Sequence, residues 1–476
     1  MIHCASLMDF KVSMSTPNQH NRDIISSLPD DVVCHILSYL DTKQAIGTTI
    51  LSKRWRHAWT RLVDFNFDDK NYCINRRNFF TTFVDKVLLL HRGAGAIKKL
   101  IFDTRCFPHE HINPWICAAV MQNIEDLDLC TTDRTQQYLS IPQILFSCKT
   151  IKSLQLYFRV DFRVTGDSLV WLPSLRVLHL NFVYSFDSLT MHKILANAPV
   201  LEELSIDTRL PPNYGSNTLR IQSSSLKRFF IKSFDTTRGF RMVIKAPKLE
   251  YLMLTDFHSE EFEIERLSSL AYAFIRVRYL TNNINHVSYG NQVVNLLTKI
   301  NNVKVLRLQA STLEVLAKAP DNNFPNFLNL VQLKLKARQN DWRMLPKMLN
   351  SSPKLELLTL IRKAPVFLES GNDIVPREAI FKEESVPKCL LSSLETLEFK
   401  DFEGNAAEMQ VLEYLLKNAS LLKVFRISLS ATIGFDKENH TLSMLSVFSE
   451  TANACRMLIT WRVKKTPKSR AFLMGC

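Results

Sequence analysis

A short hydrophobic pattern recurs along most of this chain. Apolar residues stand at positions i, i+3 and i+5, as at Ile97, Leu100 and Phe102, and thirteen such copies follow one another at intervals of 21 to 39 residues. The mean interval, about 27 residues, lies within the roughly 20–29 residues that are typical of leucine-rich repeats. The second and third apolar residues share one face of a short strand, and the residue between them points away. Because one repeat cannot bury its apolar face alone, the pattern predicts a stack of strands in a parallel sheet.

The segments between several of these strands carry apolar residues at helical spacing. Residues 187–198 and 407–419 are examples, and their spacing predicts helices that cover one side of the sheet. We therefore predict an α/β fold, a curved leucine-rich-repeat solenoid with the parallel sheet on its concave side and helices on its convex side. The two longest intervals predict loop insertions, and the proline-containing stretch 361–390 is predicted to be a linker or an exposed excursion.

The N-terminal segment, residues 23–65, has a different pattern that predicts three short helices. A proline and two aspartates at residues 29–31 suit the first turn of a helix, and apolar residues follow them at helical spacing. Asp41 or Thr42 is predicted to cap the second helix, and Ser52 the third. Three helices in so few residues build too small a core alone. We expect this unit to pack on a partner, on the repeats, or on both.

Two stretches of this segment, LPDDVVCHILSYL at 28–40 and LSKRWRHAW at 51–59, closely resemble the F-box of plant F-box/leucine-rich-repeat proteins. Near the other end, residues 386–404 and 408–430 resemble the FBD domain that closes these proteins. The resemblance divides the chain into five parts: an unassigned extension at 1–22, an F-box at 23–65, leucine-rich repeats at 66–385, an FBD-like region continuing the solenoid at 386–460, and a basic tail at 461–476. The tail does not look like the usual FBD ending.

The resemblance implies a non-catalytic role in protein ubiquitination. It implies the substrate-recognition subunit of a Skp–cullin–F-box E3 ubiquitin ligase, in which the F-box docks on a Skp-family adaptor and, through it, on cullin and RING subunits. The concave face of the repeats would bind an unknown target protein. The residues implied to contact the adaptor are Leu28, Pro29, Val33, Ile36, Leu37, Leu40, Ile46, Leu51, Trp55 and Trp59. Without the adaptor, we expect a partly exposed apolar face on the F-box, formed by Val33, Ile36, Leu37, Leu40 and Trp55.

The repeat register also predicts which charged side chains face outward. These stand two, four and six residues after the first apolar residue of each repeat. In the first five repeats they are one base, Lys99, and five acids, Asp103, Asp126, Asp128, Glu203 and Asp207. In the last eight they are one acid, Glu398, and eight bases, Arg228, Lys232, Arg276, Arg307, Lys334, Lys336, Lys400 and Arg426. We predict a concave face with an acidic N-terminal third and a basic remainder, which binds an acidic or phosphorylated segment of the target.

Composition narrows the classes of function without naming a partner. The formal net charge of +14 favours acidic partners or polyanions. Only 11 of the 476 residues are glycine, which counts against Gly-rich phosphate loops, and no P-loop, nucleophile-elbow or zinc-protease motif occurs. Cys106, His109 and His111 have metal-binding side chains but no nearby fourth ligand. We therefore expect no catalytic site, no metal and no other cofactor.

Location and two alternative functions follow from the same residues. The first 25 residues lack the apolar core of a secretory signal, and no stretch is apolar and long enough to span a membrane. We expect a cytoplasmic or nuclear protein, or both, with no membrane partner. One alternative is a nucleic-acid or polyanion binder, which the net charge suggests but which is disfavoured because most aromatic residues fit the repeat pattern. The other is a sensor of a small ligand bound on the concave face. The basic tail fits either a solvated terminus or a nuclear import or polyanion contact.

Overall fold

A computed structural model gives the fold for most of the chain. It describes residues 27–70, 77–91, 95–104, 109–131, 138–158, 160–166, 168–183, 188–208, 218–233, 240–256, 259–278, 286–320, 324–363, 380–381, 386–431, 433, 438–445 and 456–461. The predicted extension at 1–22, most of the predicted linker at 361–390 and nearly all of the basic tail lie outside these residues. The linker prediction is wrong for the described ends of 361–390, because residues 361–362 belong to a strand and 388–390 to a helix. No helix in the described part of the chain is long and apolar enough to cross a membrane.

Helices account for the N-terminal unit and for much of one side of the repeats. In the described ranges the α-helices are α1 (Asp30–Ser38), α2 (Thr42–Gly47), α3 (Trp55–Ala58), α4 (Arg77–His91), α5 (Ile112–Met121), α6 (Ser188–Ala196), α7 (His286–Lys299), α8 (Ala310–Leu316), α9 (Leu345–Asn350), α10 (Lys388–Ser392) and α11 (Ala406–Asn418). Short 3₁₀ turns are found at Thr48–Ile50, Trp59–Arg61, His109–His111, Gln143–Ser147 and Gln339–Met344.

Strands recur once or twice in each repeat. They are β1 (Asp64–Asp68), β2 (Lys99–Thr104), β3 (Asp126–Thr131), β4 (Leu139–Ser140), β5 (Ser153–Tyr157), β6 (Val160–Asp161), β7 (Val177–Val183), β8 (Glu203–Thr208), β9 (Thr218–Gln222), β10 (Arg228–Ser233), β11 (Phe240–Lys245), β12 (Tyr251–Asp256), β13 (Ser259–Ile264), β14 (Tyr272–Val277), β15 (Val305–Leu308), β16 (Gln332–Ala337), β17 (Leu357–Arg362), β18 (Thr396–Phe402), β19 (Val424–Leu429) and β20 (Arg456–Trp461).

One 15-stranded parallel sheet runs through the molecule in the order β1-β2-β3-β5-β7-β8-β10-β12-β14-β15-β16-β17-β18-β19-β20. Its register aligns the apolar triplets of successive repeats, so that Leu100 pairs with Leu127 and Phe102 with Leu129. All four side chains are buried. The predicted α/β solenoid with a parallel sheet and flanking helices is confirmed. The prediction succeeds because the local apolar pattern sets which face of each strand enters the core.

Three of the shorter repeats cross the back of this sheet in an extended conformation. Here β9, β11 and β13 pair in parallel and form a separate three-stranded sheet in the order β13-β11-β9. These repeats are 21 to 25 residues long, against a mean of about 27. A strand advances about 3.3 Å per residue and a helix about 1.5 Å. A short repeat therefore covers the same span with a strand, where the predicted solenoid had only helices on this side of the sheet.

The N-terminal helical unit packs directly on the first strand of the sheet. The Asn66 backbone N–H in β1 donates to Thr42 Oγ1 at 2.7 Å, next to the start of α2. The buried His91 ring at the end of α4 lies 2.8 Å from the Leu62 carbonyl oxygen and packs edge-on against Phe65. The expectation that the repeats support this unit is confirmed. The unit and the sheet share one continuous hydrophobic core.

Candidate interaction surfaces

The N-terminal unit presents apolar side chains to solvent. Val32 and Ile36 on α1 and Tyr39 at its C-cap stand at i, i+4 and i+7, and therefore form a stripe along one side of that helix. Beyond α2, Ile50 is 88% exposed and Leu51 is 60% exposed. An exposed group of large apolar side chains on a small helical unit is typical of a protein interaction site. We name these five residues the helical-unit surface.

The structure divides the ten residues that were implied to contact an adaptor. Pro29, Ile36 and Leu51 are exposed, whereas Leu28, Leu40 and Ile46 are half-buried against the core. The remaining four are buried inside the unit: Val33, Leu37, Trp55 and Trp59. The expectation of an exposed face is therefore wrong for Val33, Leu37 and Trp55. An amphipathic stripe on a helix is buried by whatever packs against it, and here the unit packs against its own helices.

Three exposed residues of the helical-unit surface were missed from the sequence: Val32, Tyr39 and Ile50. The indication was present in α1, where Val32, Ile36 and Tyr39 form a second apolar stripe beside the one that contains Val33 and Leu37. A surface helix needs only one apolar stripe to reach its core. A second stripe therefore indicates a second contact surface.

Ion pairs and one helix cap hold the unit in shape. Arg54 Nη2 lies 2.5 Å from Asp30 Oδ1, and Arg61 contacts both Asp30 and Asp31 at 3.3–3.4 Å. The hydrogen bond from Arg54 and its charge lower the pKa of the Asp30 carboxyl. The predicted Asp41 cap is confirmed, because its carboxylate accepts the Gln44 backbone N–H at 2.7 Å.

The predicted cap on the third helix is wrong. The residue at the N-cap position of α3 is Arg54, whose side chain makes no cap hydrogen bond. Ser52 lies two residues before it, and its buried Oγ has no hydrogen-bond partner. The chain already turns helically at Arg54, so Ser52 stands too far from the first free N–H groups to bond them.

The second surface is the side of the 15-stranded sheet that faces away from the helices, here called the open face. Along β2 and β3, side chains alternate between buried and less buried, and the buried ones are the apolar repeat residues and a threonine at the end of each strand. The residues at the predicted outward offsets therefore lie on the open face, in three rows that cross the strands. Each row places residues from neighbouring repeats side by side, about 4.8 Å apart.

Carboxylates predominate at the N-terminal end of the open face. Asp126 and Asp128 stand on β3, where burial raises the pKa of both carboxyls. On β2, Asp103 pairs with Lys70 at 3.1 Å. The carboxylates predicted for this section are thus present, but three of the five, Asp103 and the two on β8, are paired with bases.

Further along, carboxylates of the open face contact half of the predicted basic residues. Arg228 Nε lies 2.5 Å from Glu203, and Lys232 Nζ lies 3.0 Å from Asp207. The hydrogen bond from the buried His179 ring, at 2.7 Å, is the main cause that lowers the pKa of Glu203 to about 2.

The same pairing occurs near the C-terminal end. Lys400 and Arg426 both contact Glu398, at 2.8 Å and 3.4 Å. The predicted basic remainder is therefore not continuous, because four of its eight bases lie beside acids of the adjacent or same strand. Residues one repeat apart in sequence become neighbours in the sheet, and opposite charges there attract one another.

The other four predicted bases come together on three adjacent strands. Arg307 on β15 is directly opposite Lys334 on β16. Arg276 stands near the end of β14, and Lys336 two residues beyond Lys334. Burial and the neighbouring Arg278 lower the pKa of the Arg276 guanidinium. This group concentrates positive charge in the middle of the open face.

Aromatic side chains lie beside these bases. The rings of Tyr251 and Tyr272 stack face to face with centroids 4.1 Å apart, and Phe230 lies against Tyr251 at 5.2 Å. On the next strand, the Arg307 guanidinium carbon lies 5.2 Å from the centroid of the Tyr272 ring. Met253 and Phe274 occupy the middle row of the same strands, half-buried. These residues stand at the same outward offsets as the predicted charges, but they are apolar or aromatic, and the sequence prediction covered charged residues only.

We name this combined feature the aromatic–cationic surface. Its members are Phe230, Tyr251, Met253, Tyr272, Phe274, Arg276, Arg307, Lys334 and Lys336.

Among the described residues, no group of three or more His, Cys, Asp or Glu side chains could hold a metal ion. Cys106, one of the three residues considered as metal ligands, lies outside the described residues.

Three family models match successive parts of the chain. They are "F-box domain" at residues 25–66, "FBD-associated F-box protein At5g56370, LRR repeats" at 112–318, and "FBD" at 382–427. Among similar proteins of Arabidopsis thaliana, the F-box/FBD/LRR-repeat protein At5g22660 is 30% identical over 453 residues, which cover 91% of this chain and 96% of the relative. The F-box/FBD/LRR-repeat protein At5g22700 is 32% identical over 424 residues, with coverage of 85% and 92%.

Proposed function

Because the chain belongs to the F-box/FBD/LRR-repeat family, we propose that it is the substrate-recognition subunit of a Skp–cullin–F-box ubiquitin ligase. The F-box binds a Skp-family adaptor, and cullin and RING subunits join through that adaptor. The open face of the repeats binds the target protein. In this role the chain supplies two binding surfaces and no catalytic group.

The observation that carries this proposal is the helical-unit surface. It exposes large apolar side chains on the F-box, while the other side of the unit is packed on β1. Tyr39 is 78% exposed and Ile50 is 88% exposed, although transfer of such side chains from water is favourable. A partner that covers them gains this hydrophobic free energy. We assign adaptor contact to Pro29, Val32, Ile36, Tyr39, Ile50 and Leu51.

The buried F-box residues have a supporting role in this proposal. Val33, Leu37, Trp55 and Trp59 hold the three helices together and so fix the relative positions of the exposed ones. Their truncation would weaken adaptor binding by unfolding the unit, as large-to-small core substitutions cost about 2–5 kcal/mol. A binding experiment must therefore substitute exposed residues, whose loss leaves the core intact.

The test is a pull-down and titration with a purified Skp-family adaptor. The double variant Ile50→Asp, Leu51→Asp places two charges in the interface, and we expect adaptor affinity to fall by about thirtyfold or more. Leu89 and Leu90 on α4 form a matched pair, 65% and 62% exposed. Their double aspartate variant should bind as well as the unchanged chain. Equal adaptor binding by both variants would refute the assignment of this surface.

The ligase role needs a second measurement. Proximity labelling with and without a proteasome inhibitor should recover adaptor, cullin and RING subunits, and should enrich target proteins only when degradation is blocked. The Ile50→Asp, Leu51→Asp variant should lose the cullin and retain the targets. We propose a cytoplasmic or nuclear location, or both, which imaging of a tagged chain tests directly. Recovery of no cullin by the unchanged chain would place its function outside a ligase.

A further inference from the structure

The aromatic–cationic surface has a charge pattern that favours an acidic partner. At the outward positions of β12, β14, β15, β16 and β17, all within the described residues, there is no carboxylate. On one side of this section Glu203 and Asp207 are paired with bases, and on the other side Glu398 is paired with two. The paired sections contribute little net charge. The positive potential of the open face is therefore concentrated around Arg307.

The stacked rings of Tyr251 and Tyr272 offer their edges to a partner, because their faces are already covered. Tyr251 covers one face of the Tyr272 ring, with an angle of 4° between the planes. Arg307 comes from the strand on the opposite side of β14 and lies over the same ring. Phe230 packs against Tyr251 from β10. This crowding follows from the narrow spacing of adjacent parallel strands.

Covered ring faces decide between two classes of partner. A protein that binds single-stranded nucleic acid through aromatic residues needs open faces on which bases stack. Ring edges, in contrast, carry partial positive charge and form an apolar shelf suited to aliphatic or aromatic side chains. A protein segment therefore fits this surface better than a nucleic acid does.

We propose that a target binds the aromatic–cationic surface through an extended segment with an apolar anchor and nearby acidic groups. The anchor, an aromatic or large aliphatic side chain, lies on the edges of Tyr251 and Tyr272. The acidic groups contact Arg276, Arg307, Lys334 and Lys336. This inference rests on the proposed function, and it specifies the chemistry of the target that the open face selects.

The sheet geometry sets the distance between anchor and acids. The anchor position, between β12 and β14, is two strand steps from the position between β15 and β16 where the acidic groups bind. This distance is about 10 Å at about 4.8 Å per step. An extended segment that crosses the strands advances about 3.3 Å per residue. The acidic residues of the segment should therefore stand about three residues from the anchor.

The experiment uses the full chain in complex with the adaptor, and fluorescence anisotropy of labelled peptides. One peptide has a phenylalanine followed by two aspartates at the proposed spacing of about three residues. Others place the aspartates adjacent to the anchor or far from it, replace them with phosphoserine, or replace the phenylalanine with serine. A single-stranded RNA of equal charge is the comparison ligand. We expect the properly spaced peptide to bind about tenfold more tightly than the serine-anchor peptide, with binding that weakens as salt rises.

Variants locate the binding. Charge reversal at Arg307, Lys334 and Lys336, each to Glu, should reduce affinity by about tenfold or more. A matched triple reversal on the helices, at Lys86, Lys299 and Lys417, keeps the same net charge and should leave affinity unchanged. Tyr272→Ser should weaken only peptides that contain the anchor, which a general loss of folding would not do.

The outcomes separate this inference from the proposed function. If no complex with the adaptor forms, the proposed function is wrong, whether or not the peptides bind. If the complex forms but spacing and anchor have no effect, or both triple variants weaken binding equally, the inference alone is wrong. Tighter binding of the RNA through the same residues would also overturn it, in favour of a polyanion site. Binding of either the aspartate or the phosphoserine peptide supports it, and their ratio shows which acidic group is preferred.

Discussion

Substitution of Arg362 by Met tests how the FBD-like region is held to the repeats. Arg362 at the end of β17 is 8% exposed, and its Nε donates to the Asp401 carbonyl oxygen at 2.9 Å. Its Nη2 bonds the Glu403 carboxylate, and Ser430 Oγ at 3.1 Å. The fully buried Glu408 lies 3.7 Å from the same guanidinium. One side chain thus joins β17 to β18, to the segment before α11 and to the end of β19.

The expected loss in free energy of unfolding follows from the acidic side chains that lose Arg362 as their partner. Removal of one partner from a buried ion pair costs about 3–5 kcal/mol, because the remaining charge stays buried without compensation. Glu408 keeps its backbone donors, the N–H groups of Glu403 and Gly404 at 3.0 Å and 2.9 Å. These bonds offset part of the loss, so we expect about 3 kcal/mol in the free energy of unfolding, near the lower end of that range.

The pH dependence supplies a sharper criterion. Burial raises the pKa of Glu408, whereas its backbone hydrogen bonds and Arg362 lower it. A raised pKa in the folded state means that the folded chain holds this proton more tightly, so stability falls as pH rises through that pKa. Arg362→Met removes an attraction to the charged form and raises the pKa further. The loss in free energy of unfolding caused by Arg362→Met should therefore be larger near neutral pH than in mild acid.

Urea unfolding over a range of pH measures both quantities, and hydrogen exchange shows where the loss occurs. Because a repeat contacts only its neighbours, faster exchange should be confined to β17, β18, β19 and α11. The double variant Arg362→Met, Glu408→Gln removes the buried charge while keeping an acceptor oxygen, and should recover part of the stability. A loss below about 1 kcal/mol in the free energy of unfolding, or a loss independent of pH, would contradict this role of Arg362.

Two further predictions concern a carboxylate of the open face and a pair of glycines. Glu203 has a pKa of about 2 instead of 4.5, mainly because of its hydrogen bond with His179. The stabilising effect of this carboxylate is therefore lost as pH falls from about 4.5 towards 2. Glu203→Gln should reduce this part of the acid-induced unfolding, measured by circular dichroism. Gly47→Ala should stabilise the chain by about 0.5–1 kcal/mol, because a Cβ there meets open space in α2. Gly404→Ala should instead cost about 1–3 kcal/mol, because φ is +70° and the Cβ would lie 2.7 Å from Thr441 Oγ1. Thermal denaturation should shift the melting temperature upward for Gly47→Ala and downward for Gly404→Ala. Shifts of the same sign would contradict this prediction.

The sequence was sufficient for the repeats and for the boundaries of many elements. The spacing of Leu100 and Phe102, repeated thirteen times, places one strand in each repeat and identifies its buried face. The helices predicted within 187–198 and 407–419 are found as α6 and α11. These features depend on side chains within a few residues of one another. Hydrophobic periodicity therefore reports them directly.

Surface chemistry depended on contacts between distant residues, and sequence patterns carry little of that information. Val33 and Val32 are adjacent valines on α1, yet one is 1% exposed and the other 40%, because the packing of the other helices decides which stripe is covered. Arg228 is neutralised by Glu203 and Tyr272 is covered by Tyr251, although each pair is separated by a whole repeat. Repeat lengths vary from 21 to 39 residues, so such neighbours are identified only once the strands are aligned. The local apolar pattern determines which faces are buried, and the tertiary structure determines which exposed side chains meet, because that depends on the register between strands about 4.8 Å apart.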